Sequence, residues 1–319
     1  MKILVADGVS EKGIEILSKE FECEIRAKLP AEELLATIHE YDGLVVRSAS
    51  KVTKEVIEAA TNLKVIGRAG VGVDNIDIEA ATAKGIIVLN APEGNTIAAT
   101  EHTVAMMLSM ARNIPQAHSS VQNGEWKRNQ FVGVEMRGKT LGVIGLGRIG
   151  SGVAKRAIAF DMKVIGYDPY VNEERAKTMG IEVVSLEEIY ANADFISVHM
   201  PLTAQTKDLI NSETISKMKD GVYLVNCARG GIINEADLAE AVKAGKVAGA
   251  AIDVFPKEPI EPNSPLLGVD KIVLTPHLGA STVEAQIGVS VDVAYGIVAA
   301  LKGEPVTTAV NMAPVAPHV

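Results

Sequence analysis

The stretch Leu141-Gly-Val-Ile-Gly-Leu-Gly-Arg-Ile-Gly150 runs from an apolar segment into three glycines spaced G-x-G-x-x-G, and Ser151-Gly-Val-Ala-Lys-Arg-Ala157 follows directly. Each part meets a physical need. Leu141–Ile144 is apolar enough for a buried strand, and Ile149, Val153 and Ala157 fall on one face of a helix. The first glycine permits a tight turn, the second lets backbone come close to a pyrophosphate, and the third allows close helix–strand packing. A helix amino terminus adds unpaired N–H groups and the positive end of its dipole. A second apolar run, Val164–Tyr167, ends at Asp168, 18 positions past Gly150. A carboxylate there can accept both ribose hydroxyls and repels a 2′-phosphate, and no arginine adjoins it. The spacing therefore predicts a dinucleotide fold with Gly145, Gly147, Gly150 and Asp168 on the cofactor, and NAD in preference to NADP. A similar cluster, Gly67-Arg-Ala-Gly-Val-Gly72, lacks the third glycine in phase and does not read as a second dinucleotide turn.

Outward from this turn the chain alternates. Before it, apolar runs at Ile3–Ala6, Cys23–Arg26, Gly43–Val46, Val65–Gly67 and Ile87–Leu89 are separated by helical patterns at Glu11–Lys19, Ala31–His39, Lys54–Ala60 and Ile78–Lys84. After it come runs at Phe195–His199, Tyr223–Asn226, Ala248–Val254 and Ile272–Thr275, with helices at Ile149–Phe160, Glu173–Met179, Glu235–Ala244 and Val283–Leu301. Such alternation predicts an α/β fold with mainly parallel sheets. Between the two series lies a helical stretch from Thr96 to Gln122, with Asn95 as its expected cap and Pro115 as its expected kink. The polar segment Asn123–Lys139 reads as an exposed connection, and the tail from Val306, with Pro314 and Pro317, as a linker or frayed end.

Bulk properties agree. At roughly 100–200 residues per domain, 319 residues suggest two domains, and a cut near residue 95 is the one the alternation suggests. Aromatic residues are only 4% of the chain, so aliphatic side chains must fill the core. A net charge of −9 argues against a general nucleic-acid or anionic-membrane partner. The amino-terminal apolar run meets Asp7 at once and is too short for a signal peptide. No window approaches the roughly 18 uninterrupted apolar residues of a membrane span. Cys23 and Cys227 are far apart, with no metal-like spacing, which fits a reducing, cytoplasmic setting.

In an open α/β sheet the ligand lies beyond the carboxyl ends of the strands. Three polar groups follow strands in this way: Arg229 in Asn226-Cys-Ala-Arg-Gly-Gly231, Glu258 in Asp253-Val-Phe-Pro-Lys-Glu-Pro259, and His277 in Thr275-Pro-His-Leu-Gly279. Oxidising a secondary alcohol needs a base for the hydroxyl proton, and histidine titrates near working pH. A glutamate beside the ring favours its charged form. An arginine holds a carboxylate in a fork. Together they predict a catalytic set of Arg229, Glu258 and His277. The remaining histidines, His39, His102, His118, His199 and His318, lack such a setting, and His199 is expected to line the cofactor cleft.

Val46-Arg-Ser-Ala-Ser-Lys-Val52, Gly67–Asn75, Gly124-Glu-Trp-Lys-Arg128, Gly145–Gly150, Asn226–Gly231 and Thr275–Gly279 occur in one order over nearly the whole chain. In this the chain resembles the D-isomer-specific 2-hydroxyacid dehydrogenases. The resemblance implies two Rossmann-like domains, each a mainly parallel sheet flanked by helices. The cofactor domain, residues 94–281, is inserted into a substrate domain made of residues 1–93 and 282–319. It implies His277 as acid/base, Glu258 as its partner and Arg229 as the substrate anchor. Arg148, Ile149 and Asp168 would bind NAD, while Met200, Cys227, Ala228, Arg229 and Asp253 would line its nicotinamide side. His277, Leu278, Gly279 and Ala280 would join them there, and Val71 would approach from the other domain.

Arg47, Ser48, Arg68, Gly70 and Asn95 fall where such enzymes contact substrate. In these enzymes the arginine after the tryptophan can reach a neighbouring subunit, so Arg128 implies a homodimer or higher homo-oligomer. Arg47, Arg68 and Arg128 supply more cations than a lactate-like acid needs. These charges suit D-3-phosphoglycerate, a carboxylate that also carries a phosphate, and the resemblance implies its oxidation as the first step of L-serine biosynthesis. A glyoxylate/hydroxypyruvate reductase and a non-catalytic, NAD-sensing corepressor are the alternatives. No metal is expected. Longer members of the family continue into regulatory domains, so the chain is expected to be the catalytic portion without one.

Overall fold

Short runs of Val, Ile and Leu bounded by polar turns form parallel strands that are buried on both faces, which is why they read as continuous rather than alternating apolar segments. The structure, a computed structural model, describes residues 1–27 and 29–311. Pro314, Pro317 and His318 lie outside the described residues. The chain divides into two compact units, Met1–Thr96 with Ala280–Val319, and Ile97–Gly279.

The first unit holds strands β1 (Lys2–Val5), β2 (Glu22–Ile25), β3 (Gly43–Val46), β4 (Val65–Arg68) and β5 (Ile87–Asn90). They pair in parallel in the order β2-β1-β3-β4-β5. Helices α1 (Glu11–Ser18), α2 (Ala31–Thr37), α3 (Lys54–Ala59) and α4 (Ile78–Ala83) connect them. On one face Leu34, Ile38, Val56 and Ile57 pack on Leu4, Leu44 and Ile66. On the other, Leu17 and the closing helix Val283–Lys302 cover Ile3, Val5, Val45, Val65 and Leu89. The closing helix is long and apolar enough to cross a membrane by composition alone. Its Val289, Val293 and Ile297 are instead buried in this core.

The order β2-β1-β3 reverses direction between β1 and β3, and ligands bind beyond the strand ends at such a switch point. Asp7 and Arg47 follow those two strands. The tail is not frayed where it is described: Ala309 bridges Leu89, and Val88 donates its N–H to the Asn311 side chain at 2.9 Å.

The second unit starts with helices α5 (Thr96–Ala111) and α6 (Ile114–Gln122). Its strands are β6 (Thr140–Ile144), β7 (Lys163–Tyr167), β8 (Glu182–Val183), β9 (Phe195–Val198), β10 (Val222–Asn226), β11 (Val247–Ile252) and β12 (Ile272–Leu274). Helices α7 (Arg148–Ala159), α8 (Glu173–Thr178), α9 (Leu186–Asn192), α10 (Ser212–Ser216) and α11 (Glu235–Lys243) lie between them. The parallel order β12-β11-β10-β9-β6-β7-β8 is the doubly wound arrangement of dinucleotide folds, extended by one strand. Its switch point falls between β6 and β9. Val104, Met107, Val153 and Ala157 pack on one face, and Ile189, Ile215, Leu238 and Val242 on the other.

Two further expectations need correction, and three short elements went unseen in the sequence. The helix from Thr96 to Gln122 is two helices, and the break is at Asn113, whose φ of 52° is left-handed, not at Pro115, which fits harmlessly in the first turn of α6. Asn95 is no cap, because its Oδ1 is buried without a hydrogen-bond partner. The segment after α8 also holds β8, α9 and α10. These elements span only two to seven residues, too short for periodicity to show.

Candidate active site

At the switch point, β6 runs into Gly145, whose φ of 100° suits only glycine. Its N–H donates to Tyr167 O at 2.7 Å, and a Cβ on it would meet His199 O at 2.7 Å. A Cβ on Gly150 would lie 1.9 Å from Gly145 O, so helix and turn can pack this closely only without a side chain. Gly147 caps α7 with no side-chain hydrogen bond and has open space where a Cβ would be. The first-turn N–H groups at Arg148, Ile149 and Gly150 follow directly, the kind of donors that bind a phosphate.

The Asp168 carboxylate accepts from Leu146 N and Tyr170 N, each at 2.8 Å, which fixes it at the end of β7 beside the turn. These residues fit a dinucleotide. Replacing Asp168 with alanine is expected to raise the Kd for NAD by about tenfold or more, since hydrogen bonds to a charged group contribute about 1.5–3 kcal/mol. NADP binding should change far less. Fluorescence titration with NADH and NADPH checks this, and equal losses for both would refute the role of Asp168 in selectivity.

Met200, Cys227 and Asp253 come just after β9, β10 and β11, along one carboxyl edge of the sheet. The Asn226 side chain braces the next turn: its Oδ1 accepts from Ala228 N at 3.0 Å and its Nδ2 donates to Arg229 O at 2.9 Å. Arg229 donates from Nη1 to Ala228 O at 2.7 Å. A Cβ on Gly230 would sit 2.0 Å from the Phe255 carbonyl carbon, so the Arg229 loop lies directly on the loop that carries Glu258. Glu258 accepts from Phe255 N at 3.1 Å, and its other oxygen is 2.7 Å from His277 Nδ1. Burial pushes the Glu258 carboxyl up, but the bonds from His277 and Phe255 outweigh it and hold the group below the ordinary carboxylate range. Nδ1 is thereby engaged, which leaves Nε2 to handle a substrate proton.

Sequence reasoning missed His102. The ring, carried on α5 and not at a strand end, reaches Asp253 Oδ1 at 3.1 Å and Thr275 Oγ1 at 3.3 Å, contacts that the sequence did not foreshadow. A helical histidine 151 positions before its partner carries no local signal, although the apolar spacing of α5 could have placed it on a sheet-facing surface.

His199 bonds Ser197 Oγ through Nε2 at 2.8 Å, and burial pushes it down from 6.5 to about 4. The unfolded chain then takes a proton that the fold refuses. Stability is full above about pH 6.5 and declines as pH falls toward 4, by about 3 kcal/mol in all. Urea unfolding at pH 7 and pH 4 should show a smaller loss for His199→Asn than for the unaltered protein. Equal losses would mean that this ring is not the group responsible.

In the first unit, Asp7 is buried and accepts from Arg47 N at 2.5 Å, Ser50 N at 3.2 Å and Ser50 Oγ at 2.9 Å. Asn75 Nδ2 donates to Arg47 O and Ser50 O from the other side. The loop bearing Arg47 and the exposed Ser48 is therefore held at both ends, at that unit's own switch point. The Arg68 guanidinium lies where a Cβ on Gly70 would be, 1.6 Å from its Nη1, so any side chain at Gly70 would displace it. Val71 O accepts from Asn90 Nδ2. Arg128 opens an exposed 3-10 turn, Arg128–Phe131, in the second unit. Ala280 begins the returning segment of the first unit.

Residues 104–279 match the family described as D-isomer specific 2-hydroxyacid dehydrogenase, NAD binding domain. The chain is 54% identical over 318 residues to a D-3-phosphoglycerate dehydrogenase of Archaeoglobus fulgidus, a match covering 99% of the chain and 60% of that relative. Among solved structures it resembles the TT0316 protein from Thermus thermophilus, with a TM-score of 0.91, 34% identity, and coverage of 97% of this chain and 100% of that one. A glyoxylate reductase from Paecilomyes thermophila gives a TM-score of 0.89 and 30% identity, covering 97% and 98%. The chain spans about three fifths of the length of the curated relatives it matches.

Proposed function

The chain belongs to the D-isomer-specific 2-hydroxyacid dehydrogenases, and on that premise we propose that it catalyses NAD-dependent oxidation of D-3-phosphoglycerate to 3-phosphohydroxypyruvate, the first step of L-serine biosynthesis. The observation that carries the chemistry is the 2.7 Å pair between His277 Nδ1 and Glu258, on the strand-end edge that also bears the dinucleotide turn. Identity of 54% to a D-3-phosphoglycerate dehydrogenase supports the substrate.

Arg229 holds the substrate carboxylate and steadies the charge on the reacting oxygen. His277 Nε2 takes the hydroxyl proton as the C2–H bond breaks, and the alcohol carbon becomes a ketone. Bound NAD would supply the hydride acceptor. In the reverse direction Nε2 returns the proton to the carbonyl oxygen. Glu258 keeps the ring oriented and stabilises its charged form. Arg47, Arg68 and Arg128 are assigned to the anionic substrate, with Ser48, Gly70 and Asn95 as neutral contacts.

Cytoplasmic placement and a homo-oligomeric state belong to the same proposal. Trp126 at 83% and Val132 at 79% exposure, next to Arg128, support a contact between copies.

Absorbance at 340 nm, followed in both directions with phosphoglycerate and NAD or phosphohydroxypyruvate and NADH, tests the substrate. Turnover of these in preference to lactate, glycerate and glyoxylate is expected. Robust glyoxylate or hydroxypyruvate reduction with no turnover of the phosphorylated pair would move the assignment to a glyoxylate/hydroxypyruvate reductase.

A further inference from the structure

His277 holds a φ of 54°, a left-handed conformation that residues other than glycine keep only where their surroundings enforce it. The enforcement comes from Asp253. This carboxylate is fully buried at the end of β11 and grips the two peptide N–H groups that follow His277: Leu278 N on Oδ1 at 2.8 Å and Gly279 N on Oδ2 at 2.9 Å. The turn carrying the acid/base is thus clamped from beneath. Asp253 is held in turn. Thr275 Oγ1 donates to its Oδ1 at 2.5 Å, and His102 Nε2 lies 3.1 Å from the same oxygen. Burial pushes the Asp253 carboxyl up, but its bonds from His102, Thr275 and Leu278 bring it below the ordinary carboxylate range. It therefore grips the turn as a carboxylate.

His102, Cys227 and Asp253 also bring donor atoms within 4.8 Å of one another, a spacing that a cation could use. Two observations turn the cluster away from that role. Four donors already occupy the oxygens of Asp253. Burial and the nearby Asp253 carboxylate push the Cys227 thiol up to about 12.

We propose that His102 is a positioning residue: acting through Asp253, it fixes the turn that presents His277 to Glu258 and to the substrate. Nε2 is the atom that acts, through its contact with Asp253 Oδ1. A helix remote in sequence thereby locks the rotational setting of the catalytic turn, and small displacements of a reacting group carry large rate costs. For its activity readout the proposal rests on the dehydrogenase reading above.

The test compares His102→Leu with His102→Gln, whose side-chain amide can still donate to Asp253. His102→Leu is expected to lower kcat by about 10- to 100-fold, with KM for the 2-hydroxy acid within about threefold. His102→Gln should recover most of that loss. In ¹⁵N-histidine spectra, the His277 ring signals, assigned through a His277 variant, should move in His102→Leu and hold in His102→Gln. If His102→Leu fails to fold, Thr275→Val, which removes another donor from the same oxygen, carries the same expectation. Unchanged kcat and unmoved His277 signals in His102→Leu would overturn the proposal, as would a glutamine variant as slow as the leucine one. If the unaltered chain reduces glyoxylate and not phosphohydroxypyruvate, the substrate reading fails alone and the variants are compared on glyoxylate. If it turns over neither, the spectra decide by themselves.

Discussion

Replacing His277 with asparagine is expected to lower kcat by about 10²–10⁴-fold, the usual contribution of a positioned general acid/base. Asparagine is the suitable replacement because it tolerates the left-handed φ of 54° better than most side chains, so the Thr275–Gly279 turn keeps its course. The lost rate then reports the missing imidazole and not a collapsed loop. Binding of NADH, read by nucleotide fluorescence, should change far less than kcat. Glu258→Gln should fall between the two enzymes, since the amide can still orient the ring at Nδ1 but brings no charge. Steady-state kinetics in both directions provide the measurement. A His277→Asn enzyme retaining more than about a tenth of kcat would remove the histidine from the role of proton carrier.

The second large effect is expected at Arg229. Arg229→Gln should lower kcat/KM for the 2-hydroxy acid by about 10²–10³-fold. That equals about 3–4 kcal/mol, within the range for truncating one partner of a hydrogen-bonded charge pair. Arg229→Lys keeps the charge but loses the planar fork, and should recover only part of the loss. The backbone of this turn is held by Asn226 through Ala228 N and Arg229 O, so neither variant should disturb its path. Wild-type kcat/KM in the glutamine variant would place the carboxylate anchor elsewhere, with Arg47 the next residue to substitute.

The conformation of the glycine turn was readable because every constraint on it is local. Gly145, Gly147, Gly150 and Asp168 lie within one strand–helix–strand unit, and each answers a need of that unit alone. That Glu258 and His277 meet, with the Arg229 loop lying on the same edge, was foreshadowed for a related reason: each follows an apolar run, and the end of a buried parallel strand is where polar groups can gather. What the sequence hid was non-local or too short to repeat. His102 meets Asp253 only through the tertiary fold, 151 positions away in sequence. Asn113 ends a helix through a single left-handed residue, and Pro115, the more conspicuous breaker, is harmless two positions later. The two residues of β8 give no alternation to see. Ala309 and Val310 pair with β5 by backbone, and Asn311 joins them through its side chain, contacts that no sequence pattern announces.

The first unit is made of two stretches, Met1–Thr96 and Ala280–Val319, and this sets an order of events during synthesis. As the chain leaves the ribosome, Ile3, Val5, Val65 and Leu89 form one face of a sheet whose covering helix, Val283–Lys302, has not yet been translated. At about 5–20 residues per second, the intervening segment takes about 10–40 s to appear. For that interval the nascent first unit exposes an aliphatic face that a chaperone could hold, while Ile97–Gly279 emerges as a contiguous block able to complete its own core.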